Sequence, residues 1–115
     1  MKTIGLLGGM SWQSSVSYYQ AINQEIHQRL GGLHSAKLIL NSVDFAPIAQ
    51  LQSEGDWPAM AELLSLEAQK LERAGAESLV ICTNTMHKVA DAVQQAIDIP
   101  LLHIADATGQ KLRDD

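Results

Sequence analysis

Six consecutive residues, Cys82-Thr83-Asn84-Thr85-Met86-His87, place reactive side chains where a buried apolar run ends. They offer a thiol, two hydroxyls, an amide and an imidazole, whereas a simple turn needs only Gly, Asp or Asn. Such groups can carry a proton to or from a substrate, or donate hydrogen bonds to a developing negative charge. The segment is therefore the first candidate for an active-site loop.

The second candidate is the stretch from Gly5 to Ser11, in which Gly8 and Gly9 separate an apolar run from a helical pattern. Glycines at such a junction let backbone N–H groups approach an anionic ligand near a helix N-terminus. The spacing matches neither G-x-G-x-x-G nor a P-loop, so it does not indicate a nucleotide. The stretch is either a small-anion site, lined by Gly9, Met10 and Ser11, or a tight turn.

Other polar side chains give weaker indications. Gln50 and Gln52 follow the second predicted strand, and either hydrogen-bond a substrate or face water; we keep Gln52 as a candidate substrate-binding residue. No metal-ligand spacing links His27, His34 and His103. We therefore expect no metal site.

Strand-like and helix-like segments alternate along the chain. Strands are predicted over 3–7, 36–43, 78–82 and 100–104, and helices over 12–30, 56–75 and from about 86 to 99. This alternation predicts an α/β fold with three layers, in which a parallel four-stranded sheet of order 2-1-3-4 is flanked by helices. The first and third strands are then neighbours, so the two candidate loops meet at a topological switch point, where ligands bind in such sheets.

The apolar spacing also predicts which side of each helix faces the sheet. In the first helix, Ser11 is the expected N-cap, and one face carries Trp12, Val16, Tyr19, Ile22, Ile26 and Leu30. The second helix is expected to begin at Asp56 and to bury Met60, Leu63, Leu64, Leu71 and Ala74. The third is expected to bury Val89, Val93, Ala96 and Ile97.

Length and composition limit the class of protein. With 115 residues, 46% of them hydrophobic, the chain fits one domain over 1–115. A formal net charge of −5 without a basic cluster argues against nucleic acid as a partner. No apolar run approaches the roughly 20 residues that cross a bilayer, and no signal peptide is evident, so we expect a cytoplasmic protein away from membranes. The single cysteine excludes an internal disulfide.

These motifs resemble the N-terminal half of the aspartate/glutamate racemase family, the racemases that act without pyridoxal phosphate. The resemblance rests on Ile4 to Ser11, Ala74-Gly75-Ala76 and Asn84 to His87, and with Pro100 to Ala107 it spans nearly the whole chain. It implies an amino-acid substrate, two similar α/β domains and a cleft to which each domain gives one cysteine. One thiolate removes the Cα proton, and the other thiol returns a proton to the opposite face. A further helical pattern begins at Asp106 and stops at Asp115, which is typical of a chain that ends at a domain boundary.

The chain departs from the family at the catalytic position. Family members carry the pattern Cys-Asn-Thr at this position. In this chain Thr83 stands where the family has its cysteine, and Cys82 lies one residue earlier. We favour Thr83 over Cys82 as the acid/base group, and assign Asn84 and Thr85 to the substrate carboxylate. Residues 44–48 contain no basic residue of the kind that holds a distal carboxylate in family members, so a dicarboxylic preference is not indicated.

Two functions remain open from the sequence. The chain is either the substrate-binding half of an amino-acid racemase or a non-catalytic domain that binds a small acid through the same loops. Because these residues lack the second-domain cysteine, we expect the isolated chain to be inactive. The exposed cleft wall would favour association with the missing second domain or a homodimer.

Overall fold

Each strand of the folded chain is followed by one or two helices before the next strand begins, close to the alternation that the sequence predicts. The computed structural model describes residues 1–82 and 87–102, with the side chains of 87 and 88 left aside. The elements, in order, are β1 Ile4–Gly8, α1 Trp12–Leu30, β2 Leu38–Ser42, α2 Phe45–Glu54, α3 Trp57–Arg73, β3 Ser78–Ile81, α4 His87–Ala96 and β4 Leu101–Leu102. None of the helices in the described ranges has the length and apolar character needed to cross a membrane.

The four strands form one parallel sheet in the order β2-β1-β3-β4, which confirms the predicted topology. Ile4 at the start of β1 pairs with Leu38 on one side and with Ser78 on the other. β1 is buried along its whole length, because a central parallel strand is covered on both faces. β2 and β4 are the edge strands of this sheet.

The two faces of the sheet pack against different helices. Leu7, Leu79 and Ile81 join a core with α2, α3 and α4. To this core α3 contributes Met60, Leu64 and Leu71, α4 contributes Val89 and Val93, and Ile97 follows directly after α4. Ile4, Leu6 and Val80 point to the opposite face and pack with Tyr18 and Ile22 of α1. The inward residues predicted for the second and third helices are confirmed in the main, although Ala74 is exposed.

The predicted inner face of α1 is wrong. Trp12, Val16, Tyr19 and Leu30 are exposed, and only Ile22 of the predicted set is buried. The buried residues of α1 are Ser15, Tyr18 and Ile22, which share a face of the helix. This face packs on the sheet through Tyr18 and Ile22, and Ser15 Oγ accepts a hydrogen bond from the Gly9 N–H at 2.9 Å.

The short helix α2 was not predicted, although local sequence signals mark both ends. The Asp44 side chain accepts a hydrogen bond from the Ala46 N–H at 3.3 Å, as an N-cap residue does. Gly55 ends the helix in the left-handed conformation, with φ 70°. Ile48 is buried, and Phe45 and Leu51 pack against the same core. The chain thus continues from β2 into α2 within three residues.

Candidate active site

The carboxyl ends of three strands lie side by side at one edge of the sheet. The Leu7 carbonyl accepts a hydrogen bond from the Cys82 N–H at 2.9 Å, and the Gly8 carbonyl accepts one from the Val43 N–H at 2.8 Å. The end of β1 is therefore held between the ends of β3 and β2. The turn after β1 and the chain that leaves β3 at Cys82 start from adjacent positions, at the kind of switch point where α/β sheets bind ligands.

The turn after β1 requires glycine at two positions. A Cβ at Gly8 would lie 2.5 Å from Ser15 Oγ, and a Cβ at Gly9 would collide with the Val43 backbone. Gly9 also has φ 89°, a conformation that L side chains rarely adopt. The glycines thus bring the backbone close to β2 and to the first turn of α1, which fixes the shape of this wall of the edge.

Met10 and Ser11 occupy different environments. Met10 is 1% exposed and belongs to the core beneath α2 and α3, so its side chain does not line the edge. Ser11 is partly exposed and has φ 65°, the one non-glycine positive φ among the described residues. Its Oγ donates to Gln13 Oε1 at 3.2 Å and does not cap α1. A strained backbone of this kind is often found at ligand sites.

Ser15 is a positioning residue that the sequence analysis did not single out. Its Oγ accepts from the Gly9 N–H, and the residue is buried beneath the turn. The sequence signal was present, because a small polar residue in the first turn after a glycine pair can bond back to the entering backbone. Ser15 thus ties the turn to α1 and keeps the Gly9 N–H occupied within the protein.

Cys82 lies on the α1 side of the sheet, away from the α2 and α3 core. Its side chain is fully buried and packs in the cluster that contains Leu6, Tyr18 and Val80. Burial raises the pKa of the Cys82 thiol to about 12. Burial, and secondarily the charge of a Cys82 thiolate, raises the pKa of Tyr18 to about 12 as well. At neutral pH the thiol therefore holds its proton.

The remaining candidates fall in different parts of the chain. Gln52 lies on the last turn of α2, partly buried, about 12 Å along the helix from the Asp44 cap. Gln50 is exposed, and its Nε2 donates to Glu54 Oε2 at 3.3 Å. Thr83, Asn84 and Thr85 lie outside the described residues. Over the described ranges, no three His, Cys, Asp or Glu side chains come together as metal ligands.

Comparison with known proteins finds a protein family and solved structures that match nearly all of this chain. The sequence profile of the Asp/Glu/hydantoin racemases matches residues 7–115. A solved structure described as a candidate Asp/Glu racemase from Yersinia pestis is 59% identical, with a TM-score of 0.89 over 99% of this chain and 50% of its own. An aspartate racemase homologue from Pyrococcus horikoshii OT3 is 32% identical, with a TM-score of 0.84 over 99% of this chain and 50% of its own. The chain spans about half the length of both.

Proposed function

Because the chain belongs to the Asp/Glu/hydantoin racemase family, we propose that it forms one half of an amino-acid racemase. In this proposal, residues 1–115 are one α/β domain, and a second domain closes the site over the carboxyl edge of the sheet. The observation that carries the proposal is the juxtaposition at this edge of the Gly8–Ser11 turn and the end of β3. The substrate is a free amino acid, and the reaction inverts its Cα centre without a cofactor.

The reaction needs a base on one side of Cα and an acid on the other. Removing the Cα proton builds negative charge on the substrate carboxylate, and hydrogen-bond donors fixed beforehand stabilise that charge. We assign this role to Asn84 and Thr85, with the backbone of Gly9 to Ser11 forming the opposite wall. The restricted backbone of Gly9 and the positive φ of Ser11 support a preformed wall.

Thr83, rather than Cys82, is the acid/base group that this chain supplies. Cys82 is buried against Tyr18, and its raised pKa leaves almost no thiolate at neutral pH. A threonine hydroxyl is a weaker acid than a thiol, so Thr83 serves to return or relay a proton rather than to remove one unaided. A cysteine of the second domain is then the competent base, which favours turnover of the enantiomer that this cysteine faces, the L form by family analogy.

A chimera tests the proposal. This chain replaces the matching half of the Yersinia pestis protein, and chiral chromatography follows the interconversion of D- and L-amino acids, including aspartate and glutamate. We expect activity in the chimera and none in the 115-residue chain alone. Thr83→Ala should lower kcat/KM by roughly a hundredfold or more, the usual contribution of a general acid or base. Cys82→Ala is the matched control and should leave kcat/KM nearly unchanged.

The opposite result for the two variants would assign the role to Cys82. Thr83→Cys provides a gain-of-function arm, and it should raise turnover of the D-enantiomer relative to the L-enantiomer. A chimera that binds amino acids in calorimetry but does not interconvert them would support the second candidate, a domain that binds a small acid without catalysis. The half-length match to both solved relatives is the observation that keeps this candidate open.

A further inference from the structure

Asp44 is the one charged residue in the three connections that leave the carboxyl ends of β1, β2 and β3. These connections span residues 9–11, 43–44 and 82–86. In sequence they read Gly-Met-Ser, Val-Asp and Cys-Thr-Asn-Thr-Met. Because parallel strands end at the same edge of a sheet, all three begin at the edge where the candidate site lies. They bring a single negative charge to that edge.

Backbone contacts hold Asp44 next to the turn after β1. The Val43 N–H donates to the Gly8 carbonyl at 2.8 Å. Gly9 packs directly on the Val43 backbone, since a Cβ added to Gly9 would collide with the Val43 carbonyl oxygen, in the peptide group that leads into Asp44. Standard bond lengths then place the Asp44 carboxylate within about 10 Å of the Gly9 Cα.

The Asp44 carboxylate has a defined place and keeps its charge open to the edge. Its Oδ1 accepts from the Ala46 N–H at 3.3 Å, the N-cap contact that begins α2. The residue is exposed. Between Lys37 and Lys70 the sequence contains no Lys or Arg, so the segment that carries Asp44 through β2, α2 and most of α3 brings no positive charge to offset it.

This charge distinguishes between amino acids that are otherwise alike. Every amino acid brings one carboxylate, which the donors assigned to Asn84 and Thr85 hold, whereas aspartate and glutamate bring a second. At about 10 Å, Coulomb's law gives a penalty of about twofold for a second carboxylate in open water. The penalty rises to about fifteenfold at an effective dielectric constant of about 20, as when a second domain excludes water. An ammonium group on the substrate side chain is favoured by the same factors.

We propose that Asp44 is a specificity-determining residue, which selects amino acids with a neutral or cationic side chain over those with a second carboxylate. The inference rests on the proposed racemase function and names the substrate class of that site. Asp44 acts through its charge, at a distance fixed by the contact between Gly9 and Val43.

Glutamate and glutamine test the charge by itself, because they are nearly equal in size and differ by one negative charge. Chiral chromatography gives kcat/KM for both in the chimera with the Yersinia pestis protein, and we expect the higher value for glutamine. Asp44→Asn should raise the glutamate-to-glutamine ratio of kcat/KM by about two- to fifteenfold. It should lower the lysine-to-glutamine ratio by a similar factor. Asparagine also caps helices, so α2 keeps its first turn.

Asp56→Asn is the matched control. Asp56 is also an N-cap aspartate, whose side chain accepts from the Ala59 N–H at 3.2 Å. It lies beyond the far end of α2, about 15 Å along the helix from Asp44. The same substitution there removes the same charge and should leave both ratios at their values in the chimera. Circular dichroism melts of the two variants check that each keeps its fold.

The outcomes separate this inference from the proposed function. An active chimera in which Asp44→Asn leaves both ratios as they were overturns the role of Asp44 and leaves the racemase proposal standing. So does a chimera that prefers glutamate to glutamine, or one whose ratios change as much with Asp56→Asn. A chimera without racemase activity overturns the proposed function and this inference with it.

Discussion

The helices α1 and α3 lie on opposite faces of the same sheet and use their apolar residues in opposite ways. In α3, residues Met60, Leu64, Ala68 and Leu71 follow the helical period and are buried. In α1 the most regular apolar row is exposed, while Ser15 and Tyr18 are buried. The difference shows that the most regular apolar row of a helix is not always the row that faces the sheet.

The two helices also begin differently. α3 begins after Asp56, whose side chain accepts a hydrogen bond from the Ala59 N–H at 3.2 Å. α1 follows the Gly8–Ser11 turn directly, and the bond from the Gly9 N–H to Ser15 Oγ holds Ser15 inward in the first turn. Tyr18 and Ile22, on the same side of α1 as Ser15, then pack on the sheet, and the apolar row does not.

The largest expected effect is the loss of a core side chain from α3. Leu64→Ala should lower the free energy of unfolding by about 2–5 kcal/mol, because it leaves a cavity in a fully packed core. Val16→Ala on α1 should lower it by less than about 0.5 kcal/mol, because Val16 is exposed. Urea titrations of both variants measure the difference. Equal losses would contradict the contrast between the two helices.

The rotation of α1 can be tested at its entry. Gly8→Ala should lower the free energy of unfolding by about 1–3 kcal/mol, since the new Cβ meets Ser15 Oγ. Ser15→Ala alone should cost about 1 kcal/mol, because it removes the partner of a buried N–H. The double variant should lose less than the sum of the two, and an additive result would show that the contact between these residues does not matter.

The core beneath α1 should weaken in alkali. The Cys82 thiol keeps its proton in the folded state up to a pKa of about 12, whereas the unfolded chain loses it near 9.0. Its contribution is complete below pH 9 and disappears as the pH rises toward 12, a loss of about 1 kcal/mol at pH 10. Thermal melts of Cys82→Val should show a flatter decline between pH 8 and pH 10.5. The remaining decline should include that of Tyr18, whose pKa is raised to about 12.

The smallest effect is expected at the strained serine. Ser11→Gly should raise the free energy of unfolding by up to about 1 kcal/mol, because glycine adopts φ 65° without a steric penalty. Ser17→Gly, on the exposed side of α1, is the matched control and should lower it by about 0.5 kcal/mol. Chemical denaturation gives both values. A loss at Ser11 would mean that its hydrogen bond to Gln13 outweighs the backbone strain.

The sequence allowed the sheet order to be predicted because apolar runs, glycines and proline mark the strand boundaries, and the crossover rule limits the alternatives. It also placed the Gly8–Ser11 turn next to the end of β3, since parallel strands end at the same edge. It misplaced Trp12, Val16 and Tyr19, because apolar spacing does not reveal that Ser15 bonds to the Gly9 N–H and lies inward with Tyr18 and Ile22. It left Met10 open, and only packing against α2 and α3 shows that this side chain is in the core.

The central position of β1 has a consequence for the order of events during synthesis. β1 is made before both of its hydrogen-bonding partners, which are Leu38–Ser42 on one side and Ser78–Ile81 on the other. The apolar strand Ile4–Gly8 therefore leaves the ribosome with both edges unpaired and gains its second neighbour only after residue 81 has been translated. Until then its unpaired edge can bind chaperones or other nascent chains. The pairing of β3 with β1 is thus the step that removes this risk of aggregation.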